Sequence, residues 1–464
     1  MSTIKYSKPK NVVAIGNSVV DYLYEPNETV AYNPTGNAIL ADEFLSTLPN
    51  YLPEGTLKAA PRSGDNILIL KEVFEEAASA YLDALSVPTL KGISAIEYIF
   101  GKASLAAGGS LANTVSAIAC SKRNGLPIAN INFLTVLDEG EAGPVFKTSM
   151  SDGVVIGPIK GECLKVHVVP HQGDRIMVAS PSRDNSTDFY NVAPHIADAV
   201  NADTDVVMIE GYLAYGPHFQ AIADATLEAI IAANMERAES GLGPIQLVIA
   251  AAAQRICEND TFRAFFARAV QTTNVTVHAN TGEFRRLVNR DTEWRANYDS
   301  ANGNPFTGMD GSLLETTKRA APGYRAAKTA ANKDAINTAI TIAKGTDYNL
   351  QFVITDGGNP GYVVSKFGYS TYVPPEMDTA KIVNKVGAGD AFMGGYWAAQ
   401  LAGFFEVQSM QGGNLFAQSA MMQQDARLSP DMSFGKYEGP LSLLARHGVI
   451  QALPKPAKTP KLEA

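Results

Sequence analysis

Six short apolar runs constrain this chain more than any other feature. They are Asn11 to Gly16 (NVVAIG), Ile131–Leu137, Val206–Glu210, Leu247–Ala251, Val275–Ala279 and Phe352–Thr355. Each is too continuous in its apolarity for a strand with one face in water. A strand of this kind is buried on both faces, as in a parallel sheet covered by helices. Helical spacing appears over 104–121, 218–238, 260–270 and 391–401. In the first of these, Leu111, Val115, Ile118 and Ala119 fall on one face. Strands and helices taking turns predict an α/β fold: a mostly parallel central sheet with helices on both faces.

Other segments depart from this rhythm. Cys163–Pro170 and Arg175–Ala179 alternate and predict strands of a small antiparallel unit. Residues 25–65 are rich in Pro, Gly, Asn and Thr and read as irregular, while 66–85 carry helical spacing. Residues 289–330 are polar, with Asn302-Gly303-Asn304-Pro305 and Ala321-Pro322-Gly323, and read as an insertion. Residues 451–464 are rich in Pro and Lys and read as a flexible tail. One domain is therefore expected over 1–450.

Composition excludes several function classes. Of 464 residues, 46% are apolar, so a large core can be buried. Lys and Arg number 38 against 47 Asp and Glu, for a net charge of −9. That balance argues against nucleic acid and against anionic membrane surfaces as partners. Cys120, Cys163 and Cys257 form no CxxC pair, which argues against a zinc site or a disulfide framework. His167 and His171 are spaced i, i+4 in a strand-like segment and would not face one metal. The N-terminal ten residues lack an apolar core, and no apolar run is long enough to span a bilayer. A reduced, cytoplasmic protein is expected.

The strongest local pattern is Val386-Gly387-Ala388-Gly389-Asp390-Ala391-Phe392, at the start of a helical stretch. Small residues at a helix N-terminus let backbone N–H groups converge on an anion. An acidic side chain there either caps the helix or takes a proton from a hydroxyl that attacks the bound phosphate.

This segment resembles the second signature of the ribokinase-like (PfkB) carbohydrate and nucleoside kinase family, D-T-x-G-A-G-D-x-F. The resemblance implies that Gly387, Ala388 and Gly389 form the anion hole and that Asp390 is the catalytic base. Asn384 and Lys385 stand where the pattern has Asp and Thr, near the family's monovalent-cation site. Lys385 is then a candidate to supply the cation's charge beside the nucleotide.

Four further motifs follow in the family's order. Gly16-Asn17-Ser18-Val19-Val20-Asp21 resembles the acceptor-binding motif, with Asn17 and Asp21 as ligands of the sugar; standing alone, Asp21 is equally a solvated turn residue. Gly108-Gly109-Ser110-Leu111-Ala112-Asn113 resembles the first signature, and Ser110 leans towards the adenosine kinase branch. By itself the pair Gly108-Gly109 is a plain helix start. Asn280-Thr281-Gly282-Glu283 resembles the N-x-x-E motif that orders magnesium, and is also a helix capping pattern. Thr355-Asp356-Gly357 resembles the loop beside the nucleotide phosphates, and is also a hairpin turn. Arg175 resembles the arginine that reaches from the lid towards the transferred phosphate, or is an exposed strand residue. Residues 421–430 (MMQQDARLSP) resemble the C-terminal region of adenosine kinases.

The resemblance implies a ribokinase-like three-layer fold with a small β lid, its strands within 22–60 and 160–195. It implies ATP and Mg2+ as cofactors and a small-molecule nucleoside or sugar as partner. The expected reaction is phosphorylation of a ribonucleoside 5′-hydroxyl, with adenosine as acceptor. The alternatives are a sugar kinase of the same family or a non-catalytic binding protein of the same fold. A monomer or homodimer is expected.

Overall fold

The apolar runs do form the centre of a sheet. β1 (Lys10–Ile15), β9 (Val206–Glu210), β10 (Gln246–Ala250), β11 (Asn274–Asn280) and β12 (Leu350–Thr355) lie side by side and parallel. β5 (Ile128–Leu137) and β6 (Val154–Lys160) continue the parallel array beyond β1. β13 (Gly361–Ser365) and β14 (Gly368–Tyr372) close the other edge as antiparallel hairpins. The nine strands run in the order β14-β13-β12-β11-β10-β9-β1-β5-β6. A computed structural model describes residues 10–24, 37–54, 56–57, 60–61, 66–87, 93–123, 128–150, 153–161, 163–171, 174–180, 191–251, 253–287, 322–383 and 387–423.

Both faces of this sheet are buried, as the apolar runs require. Val13, Ile15, Val207, Ile209, Leu247 and Ile249 point to one core, with the helices α6 (Ala193–Ala199), α7 (Phe219–Glu239), α9 (Asp260–Ala269), α10 (Thr281–Leu287) and α11 (Pro322–Lys344). Val12, Ala14, Val206, Met208 and Val248 point to the other, with α4 (Ser110–Arg123), α5 (Ala142–Ser149), α12 (Ala388–Leu401) and α13 (Glu406–Met421). The short α8 (Gln254–Cys257) precedes α9.

A second, five-stranded sheet stands apart in the order β3-β8-β7-β2-β4. Its members are β2 (Val19–Tyr24), β3 (Asn66–Leu68), β4 (Ala103–Gly108), β7 (Leu164–His171) and β8 (Asp174–Ser180). One face is sealed by α1 (Asn37–Thr47), α2 (Lys71–Ala84) and α3 (Ala95–Phe100), with Phe44, Phe74 and Phe100 among the largest buried side chains. This is the separate small sheet expected of a lid.

Several local expectations need correction. Within 160–195 the small sheet contributes β7 and β8, whereas among the described residues of 22–60 the one strand is the end of β2, and 37–47 is helix. Gly and Pro on either side of α1 hid it. Residues 104–108 are strand and not the opening of a helix, because pairing with β2 outweighs the helix preference of their alanines. The lid is mixed, with β2–β7 and β3–β8 parallel. Residues 322–330 belong to α11, where Pro322 occupies the first helical position, the one place a helix accepts it readily. The rest of the expected insertion and the tail lie outside the described residues. Among the described residues, no helix is long and apolar enough to cross a membrane.

Candidate active site

The parallel strands end on one edge, and several of the residues singled out from the sequence lie there. β1 runs into Gly16 and Asn17, β9 ends at Glu210, β11 at Asn280 and β12 at Thr355. In an open α/β sheet this carboxyl edge is where ligands bind.

Asp390 lies in the first turn of α12, behind Gly387, which caps the helix with a left-handed φ of 71°. That conformation suits glycine, and it turns the amides of Ala388, Gly389 and Asp390 out from the helix end. The Asp390 carboxylate is held at both oxygens. Ser110 donates its hydroxyl to Oδ1 at 2.6 Å, and Asn113 donates its amide to Oδ2 at 3.1 Å. Thr114 donates to the Asp390 carbonyl at 3.1 Å, fastening α4 to α12. A carboxylate oxygen can accept more than one hydrogen bond, so such bonds orient the group without consuming its basicity. Asp390 is half-buried and so reachable from the cleft.

Gly108 and Gly109 are needed for close approach. A Cβ on Gly108 would lie 2.6 Å from Asp21 Oδ2, and one on Gly109 would lie 2.9 Å from the Asn17 carbonyl. Register explains the first contact, since Val19 pairs with Gly108 and Asp21 with Ala106. Asp21 thus sits on the lid against Gly108, which lies two residues before the serine that holds Asp390.

Sequence reasoning missed Glu210. It is 1% exposed and accepts the Asn17 backbone N–H at 2.9 Å. The amides of Ser110 and Leu111 also favour its ionised form. Burial nevertheless pushes its pKa up to about 8, with help from the nearby Asp390 charge. The available signal was a carboxylate closing an otherwise apolar strand, VVMIE. Tyr212 was missed too. Burial raises its pKa, and the charges of Asp390, Glu210 and Glu283 add to the effect, so one phenol lies in the field of all three carboxylates.

Asn280 and Glu283 cap α10 reciprocally. Glu283 Oε2 accepts the Asn280 N–H at 2.8 Å, and Asn280 Oδ1 accepts the Glu283 N–H at 2.9 Å. The capping pattern is therefore realised. It does not exhaust Glu283, whose pKa is pushed up to about 7 by burial and then by Asp390. Among the described residues no cluster of three His, Cys, Asp or Glu could cage a metal. An oxygen set of one buried carboxylate and one amide, with Asp390 nearby, fits magnesium held largely through water and phosphate.

Thr355 ends β12, and its carbonyl accepts the Thr281 hydroxyl at 3.2 Å, beside the α10 cap. Gly357 lies in the turn between β12 and β13, so the hairpin is real. Arg175 is in β8 of the lid, but its side chain lies outside the described residues, as do Asn384, Lys385 and 424–430.

Residues 321–431 match the family model for pfkB family carbohydrate kinases. This stretch holds α12 and Asp390. Over this stretch, about a quarter of its length, the chain is similar to the PfkB carbohydrate kinase family. Over 73 residues it is 41% identical to adenosine kinase of Saccharomyces cerevisiae, a match that covers 16% of this chain and 22% of the yeast enzyme. Solved structures share the fold over nearly the whole length. A probable sugar kinase from Rhizobium etli CFN 42 matches with a TM-score of 0.56 at 18% identity, covering 96% of this chain and all of that one. Adenosine kinase of Trypanosoma brucei brucei gives 0.57 at 16% identity, covering 90% of this chain and 100% of that chain. Adenosine kinase of Schistosoma mansoni with 2-fluoroadenosine gives 0.55 at 16%, covering 91% and 98%. The PfkB likeness of 321–431 and the ribokinase-like fold with its small separate sheet are thus as the motifs implied.

Proposed function

We propose that this protein is a PfkB-type kinase that transfers the γ-phosphoryl group of ATP to a hydroxyl of a small acceptor, the 5′-hydroxyl of a ribonucleoside such as adenosine. The observation that carries the proposal is the doubly held Asp390 at the N-terminus of α12. A carboxylate fixed by Ser110 and Asn113 is oriented to take the proton of an incoming hydroxyl. The amides that follow Gly387 stand ready for the charge on the transferred phosphoryl group. Asp21, across Gly108, is placed to accept hydrogen bonds from the acceptor's ring hydroxyls, with Asn17 beside it. Asn280 and Glu283 would hold magnesium, which supplies neutralisation of phosphate charge. Closure of the lid would exclude water as a competing acceptor.

The lid supports a nucleoside. The register puts Asp21, Leu23, Val166, Val168, Met177 and Ala179 on one face, opposite the face sealed by α1–α3. An apolar strip beside a sugar-binding aspartate suits a flat base attached to that sugar. The likeness to a probable sugar kinase supports a free sugar as the second reading. The test is ATP-dependent phosphorylation of a panel of nucleosides and sugars, with products resolved by mass. Adenosine or another ribonucleoside phosphorylated in preference to ribose and fructose supports the first reading. Preference for a sugar supports the second, and no transfer to any acceptor contradicts both.

A further inference from the structure

The sheet has a second concave region at its opposite, amino-terminal end. Strands covered on both faces should be apolar there too, but three neighbouring positions are polar. Gln246 on β10, Thr276 on β11 and Gln351 on β12 point to the α12 side, Thr276 pairing directly with Gln351. They line a cavity of about 560 Å³ together with Trp397, Gln400 and Phe405. Its volume is that of a small-molecule pocket. The cavity exists because α12 stops at Leu401 and the chain turns back through Phe404 and Phe405 into α13.

The wall's charges cancel. Lys10 pairs with Asp205 at 3.1 Å, and Arg237 approaches Asp205 at 3.5 Å. Glu406 accepts from Gln351 and Ser370. The amides are half used. Gln246 donates to Thr276 and to the Leu247 carbonyl, and Gln400 donates to Ser409 and Tyr396. Among the described residues, the side-chain oxygens of both glutamines accept no hydrogen bond. These surroundings suit an occupant that brings donors and no net charge. Aromatic rings flank the space, and Phe405 at its rim is 81% exposed, a large apolar surface.

We propose that this cavity is a second ligand site, separate from the Asp390 cleft, for an uncharged flat heterocycle carrying N–H donors. The ring stacks on the aromatic wall and its N–H groups bond Gln246 and Gln400. The site shares α12 with the catalytic cleft. Asp390 is on its first turn and Gln400 on its last, about 15 Å apart along the axis. A ligand that braces one end of this helix acts on the element that carries the other.

Trp397 reports on the cavity directly. The chain has two tryptophans, so the titration uses the full chain with Trp294→Phe. Adenine and nicotinamide are the probes, read by fluorescence without turnover, so the result does not depend on the proposed kinase activity. The site predicts saturable quenching by at least one probe below about 1 mM, a modest affinity for a small ring. Binding should weaken at least tenfold in Gln400→Ala and in Thr276→Val, whose shape is unchanged, and should persist in Asp21→Ala. Melting curves confirm that each variant is folded. The proposal is overturned by no saturable change with either probe, by quenching that survives both cavity substitutions, or by quenching that Asp21→Ala removes.

Discussion

Ser110 and Asp390, 280 residues apart in sequence, meet through a 2.6 Å hydrogen bond that joins α4, the first helix after the lid strand β4, to α12. Two glycine-led motifs thereby become one device, in which the first orients the carboxylate that the second carries. Ser110→Ala should lower kcat roughly 10- to 100-fold, the worth of a hydrogen bond to a charged group. Asn113→Ala should do likewise, and the double variant should lose less than the product of the two, because both hold one carboxylate. Additive losses would mean that the two side chains act independently.

Asp21 and Gly108 make a paired prediction. Asp21→Ala should weaken acceptor binding far more than ATP binding. Gly108→Ala should reproduce this, because its Cβ would stand 2.6 Å from the Asp21 carboxylate. Calorimetry with each ligand alone separates the outcomes. Equal loss for both ligands would remove Asp21 from the acceptor site.

These contacts also show how far the sequence could be read. The parallel sheet was legible because strands such as VVAI and LVIA have no polar face to hide. The glycine motifs were legible because close approach and positive φ leave few alternatives to glycine. β4 was not, since Ala-Ser-Leu-Ala-Ala-Gly carries no strong alternation and its identity comes from pairing with β2. Glu210 was not, since its role depends on Asn17, a neighbour 193 residues away. The cap on α10 and the candidate magnesium site use the same two residues, and sequence alone offered no way to choose one or to see that both fit.

Glu210 gives a prediction for stability against pH. Its folded pKa of about 8 lies above the ordinary 4.5. The unfolded chain therefore gives up this proton first as pH rises. The stability linked to Glu210 is complete below about 4.5 and is lost as pH climbs towards 8. Glu210→Gln, which cannot ionise, should lack that component. Its melting temperature should gain on the wild type between pH 5 and 8. Parallel curves for the two proteins would contradict the buried, proton-linked carboxylate.

Glu283 separates capping from metal binding. Glu283→Gln keeps an oxygen for the Asn280 amide and should retain the cap, yet raise the Mg2+ concentration needed for half-maximal activity. Glu283→Ala loses both, with a stability loss of about 0.5–2 kcal/mol for the cap. Unchanged magnesium dependence in the glutamine variant would leave Glu283 as a cap alone.

The central claim is that Asp390 takes the acceptor's proton, and one substitution tests it most directly. Asp390→Asn preserves size and can still bond Ser110 and Asn113, but it cannot act as a base. Turnover of the best acceptor in the panel, at saturating ATP and Mg2+, should fall about 10²- to 10⁴-fold, while ATP affinity and melting temperature stay close to wild type. Turnover near the wild-type rate would contradict the account.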